Sequence, residues 1–152
     1  MVRVLDACNP LGVDSAHLIE LLRYWKSLFP VSGLPGRQNI EPLSIPHILP
    51  YCELIDVHND PLDFEYRLIG TKIDAITRGK YTGLRVSEIP SQVAPSMIFD
   101  LYRKVVEQKE PVRTVLPYIG DEPGIVEVES LVLPLAGNGK DVDMLLGGIA
   151  LN

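Results

Sequence analysis

Strand-like segments lie at both ends of residues 51–151, and helix-like segments lie between them. Residues 64–70 (FEYRLIG) alternate apolar and polar side chains with a period of two, which is typical of a half-buried strand. Three further strand-like segments, 112–119, 125–133 and 144–151, are separated by the turn sequences GDEPG and GNGKD. Because short turns join neighbouring strands in antiparallel pairs, this order predicts an α+β fold built on one antiparallel sheet.

Helices are predicted in the centre of the chain. Residues 71–78 predict a short helix, and residues 96–110 predict a longer one. In the longer helix, apolar side chains share one face at helical spacing: Ile98, Leu101, Tyr102, Val105 and Val106. Before these helices, residues 51–57 predict a strand that pairs with residues 64–70 through the turn HNDP.

The strand over 125–133 has two faces of different character. Glu127 and Glu129 share one face, which we expect to be solvated near them, and three valines are expected to point toward the core, Val126, Val128 and Val132. Leu131 and Leu133 lie on the glutamate side and do not fit this alternation. They indicate that part of this face is covered, either by the N-terminal helix or by another subunit.

The N-terminal helix is strongly amphipathic. Asp14 or Ser15 can cap its start, and Pro30 ends it. Its apolar stripe consists of Leu18, Leu21, Leu22, Trp25, Leu28 and Phe29. The stripe either packs on the core of its own chain or pairs with a second copy. For the second case, a homodimer through this helix, the candidate interface residues are Leu18, Leu21, Leu22, Trp25 and Phe29.

The chain divides into two segments that form one compact unit. Residues 30–50 contain five prolines and two glycines among apolar residues, which indicates an ordered segment wrapped on the core. Residues 1–50 are therefore interpreted as the N-terminal helix with a Pro-rich wrapping segment. Residues 51–152 are interpreted as the domain that contains the sheet.

Composition excludes several classes of protein. The chain has 152 residues, of which 46% are apolar, and a net charge of −6. The acidic balance argues against nucleic-acid binding. No apolar stretch approaches the ~18 residues of a membrane span, and the first residues lack a signal-peptide pattern, so we expect a cytoplasmic protein. The two cysteines, Cys8 and Cys52, make no disulfide framework.

Local charge and motifs add little chemistry. Residues 67–85 contain five basic residues and a single acidic one, Asp74. This excess of positive charge indicates either solvated faces or a mildly basic rim suited to an anionic ligand or partner. We find no nucleophile motif, phosphate loop or clustered metal ligands, and therefore predict no catalytic or metal-binding residues. Three histidines are scattered along the chain, His17, His47 and His58.

Several sequence strings together resemble a PAS domain, and in particular the small stand-alone PAS-like proteins common in alphaproteobacteria. They are LRYWKSL (22–28), GLPGR (33–37), PLSIPHILPYCELIDV (42–57), FEYRLIGT (64–71), DLYRKVVEQKEPVR (100–113) and VLPLAGNGKDVDMLLGGI (132–149). The resemblance implies a five-stranded antiparallel sheet with short helices and one longer helix on one face. It implies a sensory or interaction module rather than an enzyme, and a ligand pocket between the inner sheet face and the central helices.

The resemblance also allows two cofactors to be tested against the sequence. The stretch GTKIDAITRGKYTG lacks the cysteine that flavin photosensors of this fold carry in their helical region. None of the three histidines lies in residues 71–109, where haem-binding PAS domains commonly place one. We therefore expect neither a covalent flavin nor haem, and the cofactor remains unknown.

Two strands supply the candidate pocket residues. Phe64, Tyr66 and Leu68 share a face that we expect to point inward, and Thr114, Leu116 and Tyr118 share a face of the strand after the long helix. The two tyrosines either offer hydroxyl groups to a polar ligand or fill the core. The arginines on the opposite faces, Arg67 and Arg113, either bind a carboxylate or form surface ion pairs.

Three functions follow as hypotheses. The first is a bacterial sensory module that binds a small ligand or an unidentified signalling partner and signals through protein association, because no output domain is recognised in the sequence. The second is a ligand-free scaffold. The third is a small cone-shaped α+β enzyme of the isomerase or dehydratase type, for which Asp74 is the candidate base.

Overall fold

The computed structural model describes residues 11–30 and 32–151 and contains one five-stranded antiparallel sheet. The strands are β1 (Cys52–His58), β2 (Asp63–Ile69), β3 (Val112–Pro117), β4 (Glu127–Leu135) and β5 (Met144–Leu151). Their order across the sheet is β2-β1-β5-β4-β3. The first hairpin and the C-terminal meander therefore join where β1 pairs with β5. This architecture confirms the predicted α+β fold.

Three α-helices accompany the sheet: α1 (Ala16–Ser27), α2 (Thr71–Asp74) and α3 (Met97–Gln108). Ser96 caps α3, since its hydroxyl oxygen accepts a hydrogen bond from the amide of Phe99 at 3.0 Å. The Pro-rich segment and the region before α3 contain short 3-10 turns at Arg37–Asn39, Pro42–Ser44, Leu49–Tyr51 and Val86–Glu88. In the described part of the chain, no helix is long and apolar enough to cross a membrane.

The sheet is apolar on both faces, and a different helix covers each. We call the face toward α3 the inner face and the face toward α1 the outer face. Ile55, Phe64 and Val132 of the inner face pack with Tyr102 and Val105 of α3. The outer face packs against α1 through Leu54, Leu131, Leu133, Leu135 and Leu146. The cover that Leu131 and Leu133 indicated is therefore the N-terminal helix of the same chain.

The apolar stripe of α1 is buried within a single chain, which contradicts the prediction that these residues form a homodimer interface. Leu18, Leu21, Leu22 and Trp25 are at most 4% exposed within a single chain, and the indole Nε1 of Trp25 donates to the carbonyl of Pro134 at 3.0 Å. Burying each of these side chains stabilises the fold by roughly 1.5–3 kcal/mol, which a single chain already obtains by packing α1 on its sheet. Phe29 is the one candidate interface residue that is exposed, at 45%.

Glu129 is buried, contrary to the expectation that its face is solvated. Only 1% of the residue is exposed, and its carboxylate accepts the amides of Asp14 at 2.7 Å and Ser15 at 2.9 Å. Arg113 donates to the same carboxylate at 2.9 Å and also contacts Asp14. A side chain from β4 thus places negative charge at the start of α1, where the helix dipole favours it.

The valines of this strand also depart from the prediction in part. Val126 lies before the start of β4 and is 76% exposed, so it does not point toward the core. Val132 is buried on the inner face as predicted, and Val128 is half-buried there. Glu127 is exposed, as predicted for the solvated end of the strand.

Close packing of α1 requires a glycine on β5. A Cβ atom at Gly148 would lie 2.6 Å from Cδ2 of Leu21 and 2.8 Å from Cδ2 of Leu18. Such distances are shorter than carbon atoms tolerate, so a side chain at this position would force the buried side chains of Leu18 and Leu21 to shift. The MLLGGIAL strand therefore depends on its second glycine for the outer core.

Replacing Glu129 with alanine is expected to lower the free energy of unfolding by about 3 kcal/mol. Removing one partner of a buried ion pair leaves Arg113 and two backbone amides without their carboxylate. Urea denaturation followed by circular dichroism measures this loss. Glu127→Ala, two residues earlier on the same strand and exposed, is the control and should change stability by no more than about 0.5 kcal/mol. Equal denaturation midpoints for both variants would contradict this role of Glu129.

Candidate functional site

A cavity of about 380 Å³ lies between the inner sheet face and the central helices. Its walls come from β1, β2, β3, β4 and β5, from α2 and α3, and from the loops that connect them. Most of the lining side chains are apolar, among them Ile69, Ile73, Leu101, Val128 and Val132. The volume lies at the lower end of the ~300–1,000 Å³ found for small-molecule sites.

A chain of four polar side chains crosses this apolar cavity. The Tyr66 hydroxyl donates to Oε1 of Gln92 at 2.6 Å and lies 3.0 Å from the Tyr102 hydroxyl. The Tyr102 hydroxyl in turn lies 3.1 Å from Oε1 of Glu53. All four residues line the cavity. The polar chain joins β1, β2 and α3 to the loop before α3.

The number of protons in this chain depends on the charge of Glu53. With the oxygen of Gln92 toward Tyr66, three contacts need three protons, and the two tyrosines supply only two. A protonated Glu53 supplies the third by donating to Tyr102, which then donates to Tyr66. When Glu53 is ionised, a 180° turn of the Gln92 amide reverses every bond and leaves the carboxylate as the last acceptor.

Burial makes the protonated form of Glu53 accessible near neutral pH. Desolvation raises the pKa of the Glu53 carboxyl to about 7, although the hydrogen bond from Tyr102 acts in the opposite direction. Desolvation also holds the pKa values of Tyr66 and Tyr102 well above 10. Both tyrosines therefore remain neutral over the range in which Glu53 titrates.

The side chain of Glu53 fits because its neighbour on β5 has none. Glu53 is paired with Gly147 across the sheet, and a Cβ atom there would lie 2.9 Å from Cγ of Glu53. In β1, residues alternate between the two faces, so Glu53 shares the inner face with Ile55. Cys52, its neighbour on the outer face, is a buried free thiol whose pKa burial raises to about 12. Cys8 lies outside the described residues.

Three of the predicted pocket residues line the cavity: Tyr66, Leu116 and Tyr118. The hydroxyl of Tyr118 donates to the carbonyl of Ile76 at 2.6 Å and accepts from the amide of Glu122 at 3.1 Å. It therefore ties the loop after β3 to the loop after α2. The Tyr66 hydroxyl is a member of the polar chain described above.

Phe64 and Thr114 lie beside the cavity and are not among its lining residues. Phe64 is fully buried on the inner face, where its ring packs edge-on against Phe99 and Tyr102 at centroid distances of 5.5 and 5.3 Å. Thr114 is half-buried and pairs with Ser130 of β4, which does line the cavity.

Leu68 was wrongly predicted to point inward, because β2 contains an irregularity. Leu54 of β1 pairs with Leu68, whereas the next residue, Ile55, pairs with Tyr66, so Arg67 is an extra residue in β2. One inserted residue reverses the alternation of side chains beyond it. Leu68 is consequently 54% exposed, and Ile69 takes the inward position in the cavity wall.

Neither predicted arginine reaches the cavity. Arg67 is exposed and pairs with Asp56 at 3.2 Å, and Arg113 is held by Glu129 on the outer face. Arg78 and Arg85 of the basic stretch also form ion pairs, with Asp121 and Glu65. In the described residues no Lys, Arg or His lines the cavity, so the expectation of a basic rim for an anionic ligand is not met by its wall.

The described residues also show where the remaining chemical candidates lie. Asp74, the candidate base of the enzyme hypothesis, is half-buried on α2 with one carboxylate oxygen unpartnered, and it is not among the lining residues. None of the three histidines is among the lining residues, and their rings contact the Ile149 carbonyl, Glu20 and Glu65. No cluster of three or more potential metal ligands occurs in this part of the chain.

Sequence reasoning missed Glu53 and Gln92 as site residues and assigned Tyr102 only to a helix face. The sequence did contain a signal for Glu53. In a strand, Glu53 shares one face with Ile55, and Cys52 and Leu54 lie on the other face. A charged residue on the inward face of a strand is rare unless it has a partner or a function. No comparable signal marked Gln92, which lies in an irregular loop.

The chain was compared with models of known protein families and with curated proteins. A family model described as a PAS domain matches residues 13–150, a range that includes α1, the Pro-rich segment and all of the sheet except the last residue of β5. No curated protein matches the chain.

The raised pKa of Glu53 predicts how stability changes with pH. Because the folded chain binds this proton more tightly than an unfolded chain with the ordinary pKa of 4.5, Glu53 costs stability as the pH rises from about 4.5 to about 7. The free energy of unfolding of Glu53→Gln should equal that of the wild type at pH 4 and exceed it above pH 7. Because one pKa unit corresponds to ~1.4 kcal/mol, the difference should be at most about 3 kcal/mol.

Urea denaturation at several pH values between 4 and 8.5 measures this difference. The exposed variant Glu127→Gln serves as the control and should follow the wild-type profile. Parallel profiles for wild type and Glu53→Gln would show that the pKa of Glu53 is not raised.

Proposed function

The chain belongs to the PAS domain family, and we propose that it is a sensory module that binds a small molecule in its cavity and signals through protein association. PAS domains are generally sensory or signalling modules rather than enzymes. The observation that carries the proposal is the cavity of about 380 Å³, mainly apolar and crossed by one polar chain. This combination of an apolar wall and a few placed polar groups is typical of ligand sites.

An apolar mouth supports entry of a small molecule. Met97 and Ile119 line the cavity and are also 58% and 56% exposed, so they connect its interior with the surface. Met97 begins α3, and Ile119 follows β3, so the opening lies between the start of that helix and the hairpin loop.

The sheet offers a physical connection from the cavity to α1. Gly147 borders Glu53 on the inner face, and Gly148, the next residue, lies against Leu18 and Leu21 on the outer face. A ligand that displaces β5 at this point would therefore change how α1 packs. This connection supports the proposal that ligand binding in the cavity changes the outer surface of the domain, where a partner can bind.

The association partner in this proposal is a second copy of the chain or another signalling protein in a bacterial cytoplasm. PAS domains commonly mediate protein–protein interactions. The buried stripe of α1 is used within the chain, and the exposed face of the helix carries Glu20, Arg23 and Lys26. A partner that binds α1 would therefore meet a charged helix surface with Phe29 at its end.

Native mass spectrometry of protein purified from the cells that produce it tests the ligand. We expect a reproducible added mass that disappears under denaturing conditions. Ser130→Leu should abolish it, because the larger side chain fills the cavity from β4, whereas Ser44→Leu on the exposed surface should retain it. A bare wild-type mass, together with no thermal stabilisation by any member of a small-molecule library, would overturn the proposal in favour of a ligand-free scaffold.

Sedimentation velocity tests the output. We expect the sedimentation coefficient or its dependence on protein concentration to differ between ligand-bound protein and protein refolded after the ligand is removed. Ser130→Leu should behave like the ligand-free form under all conditions. Identical sedimentation in both states, alone and with a lysate fraction from the same cells, would contradict signalling by association.

A further inference from the structure

The charge of the cavity wall restricts what the cavity can bind. Glu53 is the only Asp, Glu, Lys, Arg or His among the lining residues in the described part of the chain. An anion would approach this carboxyl with no cation to neutralise it, which is costly in an apolar surrounding. A cation, by contrast, would gain a charge-assisted hydrogen bond.

One oxygen of Glu53 is available for such a bond. Oε1 contacts the Tyr102 hydroxyl, whereas Oε2 makes no hydrogen bond to any of the described residues. Glu53 lines the cavity, so its carboxyl borders the open space in which a ligand would lie. A donor group of a ligand can therefore reach Oε2 without breaking the polar chain.

Aromatic side chains form another part of the cavity wall. Tyr66, Tyr81 and Tyr102 line the cavity, with centroid distances of 6.2 Å between Tyr66 and Tyr81 and 6.3 Å between Tyr66 and Tyr102. The faces of such rings attract a cation when it is removed from water. Most of the remaining wall is aliphatic and suits an apolar body.

We propose that the ligand of this cavity is a small amine cation with an apolar body, whose ammonium group binds the carboxylate of Glu53. The inference rests on the proposed function, because it specifies the chemical class of the ligand for the same cavity. The aliphatic wall binds the apolar body, and Glu53 with the neighbouring rings distinguishes an ammonium group from a hydroxyl or a carboxylate.

Proton release accompanies this binding. The pKa of Glu53 is raised to about 7 without a ligand, and an adjacent ammonium group returns it to lower values. The titratable groups that face Glu53 are Tyr66 from β2 and Tyr102 from α3, both neutral at this pH, and β5 presents Gly147. At pH 7 about half a proton should leave the protein for each amine bound, and affinity should fall up to tenfold per pH unit below pH 6.

Isothermal titration calorimetry with matched probes tests the proposal. The probes are three amines (2-phenylethylamine, hexylamine and cyclohexylamine), with the alcohols and carboxylates of the same carbon skeletons. At least one amine should bind tenfold or more tightly than its alcohol, and the carboxylates should not bind. Titrations at pH 7 in phosphate and in Tris should show proton release for amines and none for alcohols.

Glu53→Gln identifies the residue responsible. It should remove the preference for amines and the proton release, while alcohols bind as before, and the exposed variant Glu127→Gln should behave like wild type. Alcohols that bind as well as amines would overturn the amine inference and leave the ligand-binding function in place. If no probe binds and native mass spectrometry shows an acidic or neutral ligand, the amine inference fails and the ligand-binding function stands. If no probe binds, the wild-type mass is bare and no library compound stabilises the protein, both the amine inference and the proposed function fail.

Discussion

A sheet with two apolar faces has to be covered twice, and the rest of this structure depends on that requirement. One layer of helix would leave either Leu131, Leu133 and Leu146 or the ring of Phe64 in water. The N-terminal helix covers the first set with its stripe, and α3 with the segment before it covers the second. Burial of apolar surface drives both arrangements, and it makes α1 an integral part of the domain.

The two faces nevertheless differ in how completely they are filled. On the outer face the helix side chains lie so close to β5 that a single methyl group at Gly148 would clash with Leu18 and Leu21. On the inner face the short helix α2 and the irregular segments before α3 pack less completely and leave the cavity. The glutamates follow the same division, because Glu129 is fully partnered by Arg113 and two amides, whereas Glu53 keeps one oxygen open.

Periodicity was sufficient to predict the strands, the long helices and the antiparallel order, because each depends on local alternation. It did not predict Leu68, since an extra residue in β2 leaves no mark in the composition of FEYRLIG. It placed Glu129 in solvent because the partners that stabilise it, Arg113 and the start of α1, are distant in sequence. The cavity chemistry was also non-local, since Glu53, Tyr66, Gln92 and Tyr102 meet only in the folded chain.

The adjacent glycines of β5 have a consequence for experiments on this domain. Because successive residues of a strand point to opposite faces, Gly147 and Gly148 each limit a different layer. A methyl group added at position 147 would press on Glu53, and one added at position 148 would press on α1. Two single-residue changes only one peptide apart therefore disturb different layers first, one the polar chain of the cavity and the other the outer helix.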